Sequence, residues 1–239
     1  MTVFSGTMRK CAGKSLLVFG AWFLISLQAP ALANQSANRF LGPPRSLPVV
    51  KQSKVTCLKK IADKYQERYI FKTPKIPEKA LDKFFSCFPQ NWNGFFALFG
   101  FSEKDNKLGP FSNETGNYLV STVLPMTRNV VGESRYEHRL IKLAMEARPQ
   151  NFADGATDLN GAFFAVIYQE VHLHPEAMLK KLDSYDNDAL NQFWFWTLIW
   201  KNYGKLESEI CSGPKNGSLK ACKSMGQVIT EYHYYLEAN

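Results

Sequence analysis

The sequence lacks most of the features that announce an activity. There is no G-x-S-x-G, no Gly-rich phosphate loop and no H-E-x-x-H, so the common hydrolase, nucleotide-binding and zinc-protease signatures are missing. No C-x₂-C or H-x₃-H spacing supports a zinc site, and no cofactor is expected. No segment repeats at constant length, which argues against a regular solenoid. No run alternates with period two, which argues against a β architecture. Basic residues are scattered along the chain and form no block, unlike the clustered stripe of a nucleic-acid reader.

Acidic residues are absent before residue 34. There Arg9, Lys10 and Lys14 precede the apolar run Ser15 to Leu27, 13 residues long, and then Ala31-Leu32-Ala33. A basic start, a short apolar run and a small-x-small site form the pattern of a secretory signal peptide. The run falls short of the roughly 20 residues that span a bilayer. We expect residues 1–33 to be a leader cleaved near Ala33, placing the protein in the periplasm or outside the cell with no integral membrane segment. The leader holds three of the 29 basic residues and none of the 21 acidic ones, leaving the remaining chain at +5. So mild an excess favours an acidic partner without requiring one.

Four cysteines follow the leader: Cys57, Cys87, Cys211 and Cys222. An even count in an oxidising compartment suggests two disulfides, for which three pairings exist. Cys211 with Cys222 would close the loop CSGPKNGSLKAC, and Cys57 with Cys87 would then tie two successive helices.

Residues 34–50 contain Pro43, Pro44 and Pro48, which exclude regular structure and indicate an extended arm. Helical periodicity begins at Val55 and runs to Tyr69, with Leu58, Ile61, Ala62, Tyr65 and Tyr69 on one face. Further helices are expected from Pro77 to Phe85, from Pro89 with a stop at Gly100, from Asn113 to Leu124 ahead of Pro125, from Ser134 to Ala147, from Asp158 to Val171, from Pro175 to Leu182, and from Ser224 to Leu236. Ser102 to Pro110 reads as a charged loop.

The most apolar stretch is Asp186 to Trp200, DNDALNQFWFWTLIW. A cap-competent cluster leads into Phe193, Trp194, Phe195, Trp196 and Trp200, apolar on all sides. Such a helix belongs inside a core, and we expect Phe193, Trp194, Trp196 and Trp200 to be core residues. With about nine helices and short links, residues 51–239 should form one mostly-α domain, an irregular bundle or stack of helical hairpins stapled by two disulfides.

Two spots could carry chemistry. Glu133, in Gly132-Glu133-Ser134 at a helix start, faintly resembles the Glu-Ser of lytic transglycosylases, where one buried Glu is general acid/base on a peptidoglycan bond. Lys201-Asn202-Tyr203-Gly204 loosely resembles their later Tyr-Asn block, but the intervening Gly-Leu-Met-Gln element is absent. Glu133 also suits a helix N-terminus for electrostatic reasons. Around the Pro175 break, His172 and His174 lack a third ligand for a metal.

Cys87-Phe88-Pro89 with Phe95, Leu98, Phe99 and Gly100 resembles a CFP…LFG block. Leu182-Asp183-Ser184 through Asp188, with Phe193 to Trp196, resembles an aromatic FWYF-like block. Together they resemble a group of exported, helical bacterial proteins, some of them similar to immunity proteins that guard the envelope against toxins. Thr197 to Trp200 stands where that group has a Gly-Pro turn. The resemblance implies an exported protein that binds a protein partner, a toxin effector, and carries no catalytic residue. A peptidoglycan-cleaving enzyme using Glu133 is the alternative.

Overall fold

In the computed structural model, the structure describes residues 38–66, 75–149, 158–199, 203–212 and 214–237. The leader, Tyr69 and Trp200 lie outside them. The described residues are mostly helical, with 12 helices. In order these are α1 (Gln52–Tyr65), α2 (Glu78–Cys87), α3 (Trp92–Phe99), a composite α4 (Glu114–Asn117, the π-helical Tyr118–Val123, then Leu124–Met126), α5 (Arg128–Val131), α6 (Glu133–Glu146), α7 (Asp158–Leu173), α8 (Pro175–Leu182), α9 (Asn187–Leu198), α10 (Tyr203–Cys211), α11 (Pro214–Gly217) and α12 (Lys220–Glu237).

The aromatic segment is the central helix, α9. Asp186 caps it by accepting a hydrogen bond from the Ala189 N–H, and every residue from Leu190 to Leu198 is buried. It packs against α6, α7 and α12. Phe193, Trp194 and Trp196 lie in the core, and the Trp194 indole donates to the Ala221 carbonyl at 2.8 Å. One contiguous apolar cluster runs from Phe40 to Leu236.

Several local expectations are corrected. The helix placed at Pro89 begins at Trp92, because the Asn91 side chain accepts from the Gly94 N–H and fixes the start there. Pro125 does not stop α4. A π-helical stretch precedes it, so the proline sits in the first turn of a new α segment, where its missing N–H leaves no bond unmade. The expected loop 102–110 contains an antiparallel pair, β1 (Phe101–Ser102) with β2 (Lys107–Leu108). The loop between Cys211 and Cys222 holds α11. Together with α5 and α10, α11 raises the helix number from nine to 12 among the described residues.

The arm is tied down. Phe40 is buried, stacked on Phe195 with ring centroids 4.5 Å apart and edge-on to Tyr232 at 5.2 Å. Beyond it, Gly42 N–H donates to the Pro149 carbonyl at 2.7 Å. Arg45 donates to Asn93 at 2.8 Å and covers the Phe96 ring. Residues 41–50 therefore follow an extended path over α3.

Both cysteine pairs come together, Cys57 with Cys87 and Cys211 with Cys222. The first joins α1 to α2, and the second closes the turn from α10 into α12. Among the described residues, no helix is long and apolar enough to cross a membrane.

Candidate functional site

Polar chemistry gathers inside the molecule where α5, α6, α7 and α8 meet. Gly132 makes this possible. Its φ of +84° turns the chain sharply between α5 and α6, a backbone state that costs glycine little. The turn brings Arg128, on α5, alongside the first turns of α6. Its guanidinium donates to Glu133 at 2.7 Å, to Glu137 at 3.1 Å and, through Nε, to Glu170 of α7 at 3.1 Å. Lys181 of α8 donates to the second oxygen of Glu137.

Glu137 and Glu170 are buried, whereas the Glu133 side chain is 65% exposed. Burial opposes the Arg128 charge. The hydrogen bond to Glu137 and the charges of Glu170 and Glu133 outweigh it and hold its pKa above the ordinary guanidinium value. Burial pushes the Glu170 carboxyl above the usual carboxylate range, against the pull of Arg128 and His174. Tyr136 is fully buried beside them, and its hydroxyl has no hydrogen-bond partner among the described residues. Burial pushes that hydroxyl up from the ordinary phenol range, and Glu170 adds to the effect.

This arrangement braces four helices. Both oxygens of Glu137 accept from a cation, and Arg128 spends all three of its nitrogens on carboxylates. A buried charge survives only when paired in this way. Glu133 lies at the solvent rim of the network, its side chain mostly exposed. Lys201 and Asn202 lie outside the described residues. His172 pairs with Glu209 at 3.0 Å, and no group of three His, Cys, Asp or Glu side chains among the described residues could hold a metal.

The network was missed because its members are far apart in sequence, yet two left a trace. Glu137 sits in register with Leu140, Ile141 and Ala144 on the inward stripe of α6, and Glu170 with Phe163, Val166 and Ile167 on that of α7. A carboxylate on an inward stripe demands a cation beside it, and the largely buried Arg128 and the half-buried Lys181 supply it.

The blocks behind the resemblance are structural. Phe88, Leu98 and Phe99 are fully buried. Around them α6 clamps the α2–α3 junction: Arg139 donates to the carbonyls of Phe85, Phe88 and Pro89, and Glu146 accepts from the Trp92 N–H at 3.0 Å. Each charge thereby satisfies backbone groups that a helix end leaves unpaired. No family model, curated protein or solved structure matches the chain.

Proposed function

We propose that this chain acts by protein–protein contact, as an exported immunity protein that neutralises a toxin effector. The supporting observation is how the interior charges are used. Arg128, Glu137, Glu170 and Lys181 neutralise one another and brace the helices, so the surface is where this protein acts on other molecules. Two cysteine pairs at bonding distance fit an oxidising compartment and a body that presents its surface rigidly. The toxin as partner rests on the CFP…LFG and aromatic blocks.

Immunity proteins are encoded beside the toxins they restrain, which gives the test. Co-expression should protect cells from the product of the adjacent gene, and the two purified proteins should form a complex. No protection together with no binding at micromolar concentration would overturn the proposal.

A further inference from the structure

The disulfide Cys57–Cys87 lies in a groove between α1 and α2. Beside it the lining includes Lys54, Lys60, Lys83 and Ser86, and no carboxylate contributes. Lys60 and Lys83 are exposed and Lys54 is half-buried. None of the three ammonium groups has an ion-pair partner among the described residues. The neighbouring Asp82 faces Arg135 at 4.0 Å instead, and Asp63 of α1 is outside the lining. Ser86 donates its hydroxyl proton to the Lys83 carbonyl at 2.7 Å, and the charged residues of the lining are the three lysines.

The contrast with the interior is direct. There each cation is matched to a carboxylate, whereas here three cations share a concavity with no counter-charge. Such a concavity concentrates positive potential and draws in anions. The lysines come from two helices, Lys54 and Lys60 from α1 and Lys83 from α2, so a charge excess spread along the sequence becomes local through folding. The disulfide holds the two helices in register.

We propose that this groove is the docking site for an acidic segment of the protein partner, one presenting several Asp or Glu side chains. The proposal rests on the protein-binding reading above and names its surface. Charge complementarity selects the acidic partner. A protein fits better than a nucleic acid because no aromatic ring lines the groove for bases to stack on. A protein also fits better than a membrane, which needs an apolar face to bury along with the basic one. Ile61, the aliphatic residue in the groove's lining, is itself buried, and the exposed apolar side chain beside the groove is Val49. It is fully exposed and lines an adjoining indentation that shares Lys54 with the groove. One apolar anchor beside a basic groove is the mixture that protein interfaces use.

The test uses the full disulfide-bonded chain. Its affinity is measured for poly-L-glutamate, for vesicles of phosphatidylglycerol and phosphatidylcholine in equal parts, and for a single-stranded oligonucleotide. Polyglutamate should bind most tightly. The triple variant Lys54→Gln, Lys60→Gln, Lys83→Gln should weaken that binding by about tenfold or more, because close charge pairs at an interface are lost. A control triple of exposed lysines, Lys104→Gln, Lys107→Gln, Lys223→Gln, changes net charge equally and should leave it nearly unchanged. Equal losses in the two triples, or tighter binding to vesicles or oligonucleotide, would overturn the proposal. The adjacent gene product separates the two readings. A groove triple that binds it undiminished overturns the groove alone, whereas its failure to bind the unaltered chain overturns the immunity reading while polyglutamate still judges the groove.

Discussion

Trp194 illustrates how one side chain serves both packing and polar satisfaction. It is fully buried, and its indole N–H meets the Ala221 carbonyl, so Trp194→Ala removes a large apolar volume together with a buried hydrogen bond. We expect a cost of about 3–5 kcal/mol, read as a lower urea midpoint at unchanged slope; a loss under about 1 kcal/mol would show that α9 is not the centre of the core. Within the charge network, Glu137→Ala takes the carboxylate from Lys181 and one of three from Arg128, and should cost about 3 kcal/mol. Glu133→Ala, at the rim, should cost no more than about 1 kcal/mol. Denaturation of the two variants side by side checks the ranking. Glu170 adds a pH signature. Its folded pKa is raised, so its contribution to stability is fully present below the usual carboxylate range and is lost as pH rises through the raised value. Relative to Glu170→Gln, the unaltered protein should therefore lose stability as pH climbs through that window, and parallel profiles would refute the assignment.

At the scale of elements, long periodic helices were legible and the joints between them were not. Asp158 to Val171, Pro175 to Leu182 and the aromatic helix emerged close to their observed bounds because apolar spacing and capping residues agree there. The stop at Gly100 was also readable, though the reason is close approach: a Cβ there would fall 2.3 Å from the Phe96 ring. The hairpin of β1 and β2 escaped notice because its strands have two residues each and are held by contacts to distant parts. Ser102 donates to the Arg45 carbonyl, and Gly109 lies against α3, where a Cβ would meet the Leu98 carbonyl oxygen at 2.6 Å. Gly109→Ala should consequently push the hairpin off α3 and destabilise the fold by about 1–3 kcal/mol, the usual cost of overpacking. Thermal melts check this, and an unchanged midpoint would show that the hairpin shifts freely.

Across the whole molecule, the fold class followed from the sequence because it depends on many weak signals that agree. The charge network and the lysine groove did not, since each assembles residues from separate helices. The cysteine pairs bear on global stability. They enclose separations of 11 and 30 residues, so in the chain-entropy model opening Cys211–Cys222 costs about 3 kcal/mol and opening Cys57–Cys87 about 4 kcal/mol. Denaturation of Cys→Ser pairs measures both, and a reversed order would point to effects in the folded state. The seat of Phe40 between Phe195 and Tyr232 has a consequence for how the chain is made. Arg39 lies 3.7 Å from Glu231, so the first described turn closes onto the last helix. A chain produced N-terminus first carries Phe40 unpartnered until almost everything else has emerged. Closure of the aromatic core is thus a late event, and a chain cut short before Tyr232 leaves Phe40 with only one wall of its seat.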